Sequence, residues 1–149
     1  SLGASRGIFV VTSAGNSGSG RWKKITMPAD APHVLTVGAV DSRGRNAFFS
    51  SVGDTSDGRV KPDVMALGVD VPVYGSQGNI EEVDGTSFAC PIMCGATACL
   101  LQAFPTAKPD DIIHALQRSS STADAPNNVF GYGIPDLLKA YQLLQEQAQ

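Results

Sequence analysis

Short apolar runs separated by small and polar residues mark the first half of this chain. Gly7-Ile8-Phe9-Val10-Val11-Thr12 is continuous and rich in β-branched residues, which predicts a strand buried on both faces, as in a parallel sheet. It ends in Ser13-Ala14-Gly15-Asn16-Ser17-Gly18-Ser19-Gly20, a small-residue loop where α/β folds place ligand contacts. Residues 25–32 are turn-rich. His33 to Val40 predicts a second buried strand, Asp41 to Gly44 a turn, and Ala47 to Ser50 a short extended piece before the polar loop Gly53 to Arg59. Val64-Met65-Ala66-Leu67 predicts a third strand. Val69 to Tyr74 and Ile80 to Val83 flank Gly75-Ser76-Gln77-Gly78-Asn79, the pattern of a hairpin with a flexible tip.

After the hairpin the period lengthens. Phe88, Ala89, Ile92, Met93, Ala96, Ala98, Leu100 and Leu101 predict a long helix ending near Phe104-Pro105. Lys108-Pro109-Asp110-Asp111 opens another, with proline suited to the first helical position and carboxylates to the first turn. Ile112, Ile113, Ala115 and Leu116 give it an apolar stripe. Ser119 to Asn128 is a polar connector and residues 129–135 a tight turn. Pro135 opens a last helix through about Leu144, with Leu137, Leu138, Tyr141 and Leu144 predicted to face inward and the tail from Gln145 to Gln149 to fray. The fold class is therefore α/β with a parallel sheet. No repeat or linker divides residues 1–149 into two domains.

Composition narrows the function. The length of 149 residues and 42% hydrophobic content suit one domain with a substantial core. A net charge of −3 gives no nucleic-acid surface. No window approaches the roughly 18 apolar residues of a membrane span. The opening Ser1-Leu2-Gly3-Ala4, with neither an initiator Met nor a signal peptide, predicts a fragment, a processed product or a trimmed chain. Cys90, Cys94 and Cys99 all fall in the long helical run with no histidine among them. They read as small buried hydrophobes rather than metal ligands or a disulfide framework.

The candidate chemistry centres on Asp84-Gly85-Thr86-Ser87-Phe88-Ala89-Cys90-Pro91. A hydroxyl at the start of a helix sits at the positive end of the helix dipole, among free N–H groups able to receive a developing negative charge. Gly85 lets a second backbone come close, and Pro91 crowds the Ser87 carbonyl. On this pattern alone two readings stand: a seat for a nucleophilic serine, or a helix cap using Thr86 or Ser87. Asn16 likewise reads as an amide donor or as a turn asparagine. The loop around it is no phosphate cradle, having no Gly-Lys-Ser/Thr ending. Asp54 and Asp57 read as cation ligands or as part of a solvated loop. His114 reads as an ordinary surface or boundary histidine.

Several pieces stand in the order of one family. Val11-Thr12-Ser13-Ala14-Gly15-Asn16, Met27-Pro28-Ala29 followed by Val34 to Asp41, Lys61-Pro62-Asp63-Val64-Met65-Ala66, Gly85-Thr86-Ser87-Phe88-Ala89-Cys90-Pro91, and Gly131-Tyr132-Gly133 with Pro135-Asp136 succeed one another. In them the chain resembles the C-terminal half of a subtilisin-like serine protease (subtilase) catalytic domain. The resemblance covers nearly the whole chain. It implies a three-layer subtilisin-like fold whose N-terminal strands and helices are missing. It implies Ser87 as nucleophile, Asn16 as oxyanion-hole donor, Ser13, Ala14 and Gly15 as a wall of the P1 side-chain pocket, and Thr26 near its floor. It also implies a cis Met27–Pro28 bond.

Leu67, Ile92 and Met27 depart from the family's usual proline, histidine and tyrosine at positions outside the triad. The larger departure is that the family's aspartate and histidine precede the asparagine segment, and only residues 1–6 precede the first predicted strand here. No triad Asp or His is carried over to this chain, so the chain alone is expected to be inactive. The resemblance implies a peptide or protein substrate and no required cofactor, with room for a structural calcium. Half a parallel sheet leaves an open edge and an apolar face, so association with the missing N-terminal half or with another copy is expected. Charge and hydropathy point to no nucleic-acid or membrane partner, and the resemblance implies a secreted or cell-envelope setting. An alternative is a non-catalytic, subtilase-like peptide-binding domain. An α/β-hydrolase esterase fits worse, because Ala89 replaces the second glycine of its Gly-x-Ser-x-Gly motif.

Overall fold

The computed structural model describes residues 2–147. Its elements in order are α1 (Leu2–Ser5), β1 (Val11–Ser13), β2 (Leu35–Val40), β3 (Val64–Leu67), β4 (Val71–Tyr74), β5 (Ile80–Val83), α2 (Thr86–Ala103), α3 (Pro109–Ser119) and α4 (Leu137–Gln147). The three predicted strands form one parallel sheet in the order β1-β2-β3, with Val11 opposite Leu35 and Val37 opposite Val64. All six residues of β2 are buried, as expected for a strand paired on both sides. β4 and β5 make the predicted antiparallel hairpin.

Two strand expectations are corrected. β1 begins at Val11 and is half-buried, because it pairs with β2 on one side only, and Ile8 lies exposed ahead of it. His33 does not open β2; it occupies the left-handed region at φ 59° in the turn before it.

The core joins sheet to helices. Leu35, Val37, Val64, Ala89, Met93, Leu100, Ile112, Leu116, Ala140 and Leu144 form one buried cluster. α2 runs across β1, β2 and β3 and buries Thr86, Ala89, Met93, Thr97 and Leu100, spaced three or four apart on one face. The helix carries Pro91 without a break. At 18 residues and mean hydropathy 1.3, α2 is by length and composition apolar enough to cross a membrane, which corrects the expectation that no window qualifies. Its partly buried, sheet-packed face is that of a domain helix. The cysteines are corrected too: Cys90 is half-buried, and Cys94 and Cys99 are exposed. Cys90 packs against the buried cluster, while Cys94 and Cys99 lie off the face that meets the sheet.

α4 differs from its predicted orientation. Ala140 and Leu144 are buried against α3, while Leu137, Leu138 and Tyr141 are exposed. A helix with one helical neighbour buries one narrow stripe, not every leucine it carries. It also continues to Gln147, so the predicted fraying from Gln145 is not seen; residues 148 and 149 lie outside the described residues.

A buried charge network pins the sheet to α3. The Lys61 ammonium bonds Asp63, the Val34 carbonyl (2.9 Å) and Thr36 Oγ1 (3.2 Å). Asp63 also accepts from the Thr36 N–H at 2.7 Å and from Gln117 Nε2 at 3.0 Å. The turn Gly131-Tyr132-Gly133 closes over this network: Tyr132 N–H donates to the Asp63 carbonyl, and Met65 N–H to that of Gly133, each at 2.9 Å. Gly131 has φ 57°, and a Cβ there would stand 2.1 Å from the Pro62 carbonyl oxygen, so only glycine fits.

Candidate active site

The C-terminal end of β1 and the N-terminal end of α2 meet. Ala14 is buried, Gly15 takes φ 100°, and Asn16 emerges exposed. Gly85 caps α2, and no side chain supplies a capping hydrogen bond. Neither Thr86 nor Ser87 is therefore the helix cap. Ser87 is exposed at the second position of α2, and Thr86 before it is fully buried.

Thr86 joins the two segments. Its N–H donates to Asn16 Oδ1 at 3.0 Å, its hydroxyl donates to the same oxygen at 2.8 Å, and that hydroxyl accepts the Gly15 N–H at 3.1 Å. A backbone N–H is only a donor, so the atom facing it must be the carboxamide oxygen. The Asn16 amide nitrogen is thereby turned outward, 3.5 Å from where a Cβ on Gly85 would stand. The Phe88 ring flanks the same point at 3.3 Å. The Gly85 N–H in turn donates to the Gly68 carbonyl at 2.8 Å, and the Asp70 N–H to Asp84 Oδ1 at 2.9 Å. These bonds tie the serine turn to the end of β3 and the start of the hairpin.

The segment expected as the P1 wall packs against the loop that carries Thr26. Ala14, between Ser13 and Gly15, clusters with Ile25 and Ala29, which flank Thr26. The Thr26 carbonyl accepts the Ala29 N–H at 2.8 Å, and Thr26 is exposed. The Met27–Pro28 bond in this loop is cis, as the resemblance implied.

An open groove of about 490 Å³ runs beside Ser87, lined by Phe9, Val10, Val11, Cys90, Pro91 and Cys94. Burial, and secondarily the Cys94 thiol, push the Cys90 thiol up, away from a reactive thiolate. Neither histidine reaches this groove. His33 Nδ1 sits 2.9 and 3.0 Å from the two Asp110 carboxylate oxygens, in the turn before β2, and His114 lies on α3. A larger cavity of about 630 Å³ lies by His33, between α1 and residues 105–110, and holds neither Ser87 nor Asn16.

Asp54 and Asp57, the candidate cation ligands, carry their own countercharges. Asp54 pairs with Lys24, while Arg59 and the Thr55 hydroxyl hold the Asp57 carboxyl down to about 2. Among the described residues no group of three or more His, Cys, Asp or Glu side chains is placed to hold a metal.

Thr86 and Phe88 were not foreseen as site residues. Both belong to the serine motif, but Thr86 makes its bonds to a residue 70 positions away, which no local pattern reports.

The chain is similar in sequence and fold to known proteins. The chain is 41% identical to subtilisin DY of Bacillus licheniformis over 128 residues, 85% of the chain and 43% of that protein. It is 34% identical to the membrane-bound transcription factor site-1 protease of Mus musculus over 147 residues, 92% of the chain and 14% of that protein. It thus spans less than half the length of these curated relatives. Among solved structures, the self-cleaved protease domain of PatA superposes with a TM-score of 0.80 at 30% identity, over 97% of the chain and 53% of that domain. The α/β fold is accordingly that of a subtilisin-like protease domain, present in part. With the family model for the Subtilase family matching residues 2–133, the chain belongs to the subtilases.

Proposed function

We propose that the chain is the serine-bearing part of a serine endopeptidase, with Ser87 as nucleophile and the Asn16 amide and Ser87 N–H as the oxyanion hole. The observation that carries this reading is the Asn16 carboxamide, whose oxygen is held twice by Thr86 so that its N–H₂ faces the serine turn. A serine hydroxyl is a weak nucleophile at neutral pH and needs a base oriented by an acid. The described residues place no histidine beside Ser87, so the base and its aspartate come from a segment outside them. In the assembled site Ser87 Oγ attacks the scissile carbonyl and its proton passes to that base. The carbonyl oxygen takes the negative charge between the Asn16 amide and the helix N-terminus. The leaving amine then takes the proton, and water releases the acyl group. Ser13, Ala14 and Gly15 form a wall for the P1 side chain, with Thr26 near its floor.

The reaction requires no cofactor and routes no step through a structural calcium. The substrate is a peptide or protein. The open groove and the unpaired edge of β1 support docking of the Asp- and His-bearing segment there. A secreted or cell-envelope setting belongs to the same proposal.

The test combines the chain with the Asp- and His-bearing segment of its parent protein. Peptide cleavage is expected from the assembly, none from Ser87→Ala, and negligible turnover from the chain alone. Asn16→Ala should lower kcat by about 10²–10³ with KM little changed, a magnitude measured in a subtilisin rather than derived from this chain. Turnover by the chain alone, abolished by Ser87→Ala, overturns the division of labour. An assembly that binds peptide without cleaving it favours the non-catalytic alternative.

A further inference from the structure

Asn16 is exposed, so the direction of its amide is fixed by what holds the chain around it. Thr86 holds the far end of the side chain. The backbone on both sides is held by a single residue, Ser51. The Ser51 N–H donates to the Gly15 carbonyl at 2.8 Å, and Ser51 Oγ accepts the Ser17 N–H at 2.9 Å. Ser51 is 1% exposed, so water does not compete for these bonds. Gly15 permits the approach, since a Cβ there would stand 3.0 Å from Ser51 Oγ. The clamp continues one residue on, where the Gly18 N–H donates to the Phe49 carbonyl at 2.8 Å.

We infer that Ser51 is a positioning residue for the oxyanion hole: it grips the peptide units on either side of Asn16 and so sets where the amide points. The inference rests on the proposed peptidase reading. Without the Ser51 hydroxyl the Ser17 N–H loses its partner and the peptide after Asn16 is loosened, while the Ser51 N–H still holds the Gly15 carbonyl before it.

Ser50 supplies a matched control. It is equally buried, at 1% exposed, and its hydroxyl also accepts one backbone N–H, but from Ala39 inside the sheet at 3.1 Å. Ser51→Ala and Ser50→Ala therefore delete similar buried hydroxyls, one at the loop and one away from it.

The first measurement is amide hydrogen exchange on the 149-residue chain. Ser51→Ala should speed exchange at Ser17 by about 10-fold or more relative to Ser50→Ala. The second is kinetics of the assembly with its Asp- and His-bearing segment. Ser51→Ala should lower kcat by about 10- to 100-fold at nearly constant KM, and Ser50→Ala should lower thermal stability with kcat retained. Unchanged Ser17 exchange, or equal kcat in the two variants, overturns the inference. If the unsubstituted assembly cleaves nothing, the peptidase reading falls and the catalytic role of Ser51 with it, while the exchange data still show whether the clamp exists. Should Ser51→Ala not fold, Ser51→Cys keeps a weaker acceptor of similar shape. It should give faster Ser17 exchange and an intermediate kcat; wild-type values for both overturn the inference.

Discussion

Thr86 presents one hydroxyl to two partners, donating to Asn16 Oδ1 and accepting from the Gly15 N–H. A valine of the same shape serves neither bond. Thr86→Val should therefore cost about 1–3 kcal/mol in denaturant unfolding, because buried polar groups lose their partners. It should also lower kcat of the assembled enzyme, while Thr86→Ser retains both. Equal kcat for Thr86→Val and wild type would mean that the backbone N–H of residue 86 anchors the carboxamide without the hydroxyl. A pH effect also belongs at this scale. Arg59 first, then Thr55, hold Asp57 at about 2 in the folded chain, against an ordinary value of 3.8. A carboxyl depressed on folding adds stability that is present above the unfolded value and fades as pH falls through the folded one. The Asp57 contribution should fade between about pH 4 and pH 2. Unfolding of Asp57→Asn compared with wild type should show the difference shrinking over that window. A difference independent of pH there would refute it.

Lys61 and Asp63 are each 5% exposed at the side chain, and their network joins β2, β3 and α3. Removing one partner leaves an uncompensated buried charge. Lys61→Met should destabilise by about 3–5 kcal/mol, and Lys61→Met with Asp63→Leu should recover much of that, read as midpoints of denaturant unfolding. A double variant worse than the single would show that the Thr36 and Gln117 bonds to Asp63 matter more than charge balance. The elements these residues hold were largely legible in the sequence. The hairpin announces itself by Gly75 to Asn79, and α3 by Pro109 with Asp110 and Asp111. What was not legible depends on neighbours. The Gly7–Thr12 run reads as doubly buried, yet β1 is short and half-buried because its outer edge is unpaired. Leu138 reads as core and is 69% exposed, because α4 turns Ala140 and Leu144 toward α3 instead. The site divides the same way. Ser87 and Asn16 stand in recognisable motifs, whereas Thr86 and Ser51 act across separations of 70 and 34 residues.

At the scale of the whole molecule, the surface beside Ser87 has the character of an interior. Cys90, Cys94, Pro91, Val10, Val11 and Phe9 line the groove, Ile8 and Ile92 are exposed near it in sequence, and the edge of β1 is unpaired. An open sheet edge next to apolar side chains is a template for association. The isolated chain should therefore self-associate in light scattering, and the Asp- and His-bearing segment should convert it to a one-to-one complex. Cys94 gives a local readout, being exposed and sharing the groove with Ser87. A thiol reagent should label it readily in the isolated chain and at least about tenfold more slowly in the complex, as expected for a site opened only by dissociation. If peptide cleavage appears on mixing while Cys94 labels at its original rate, the segment docks elsewhere, and the base reaches Ser87 from a side other than this groove.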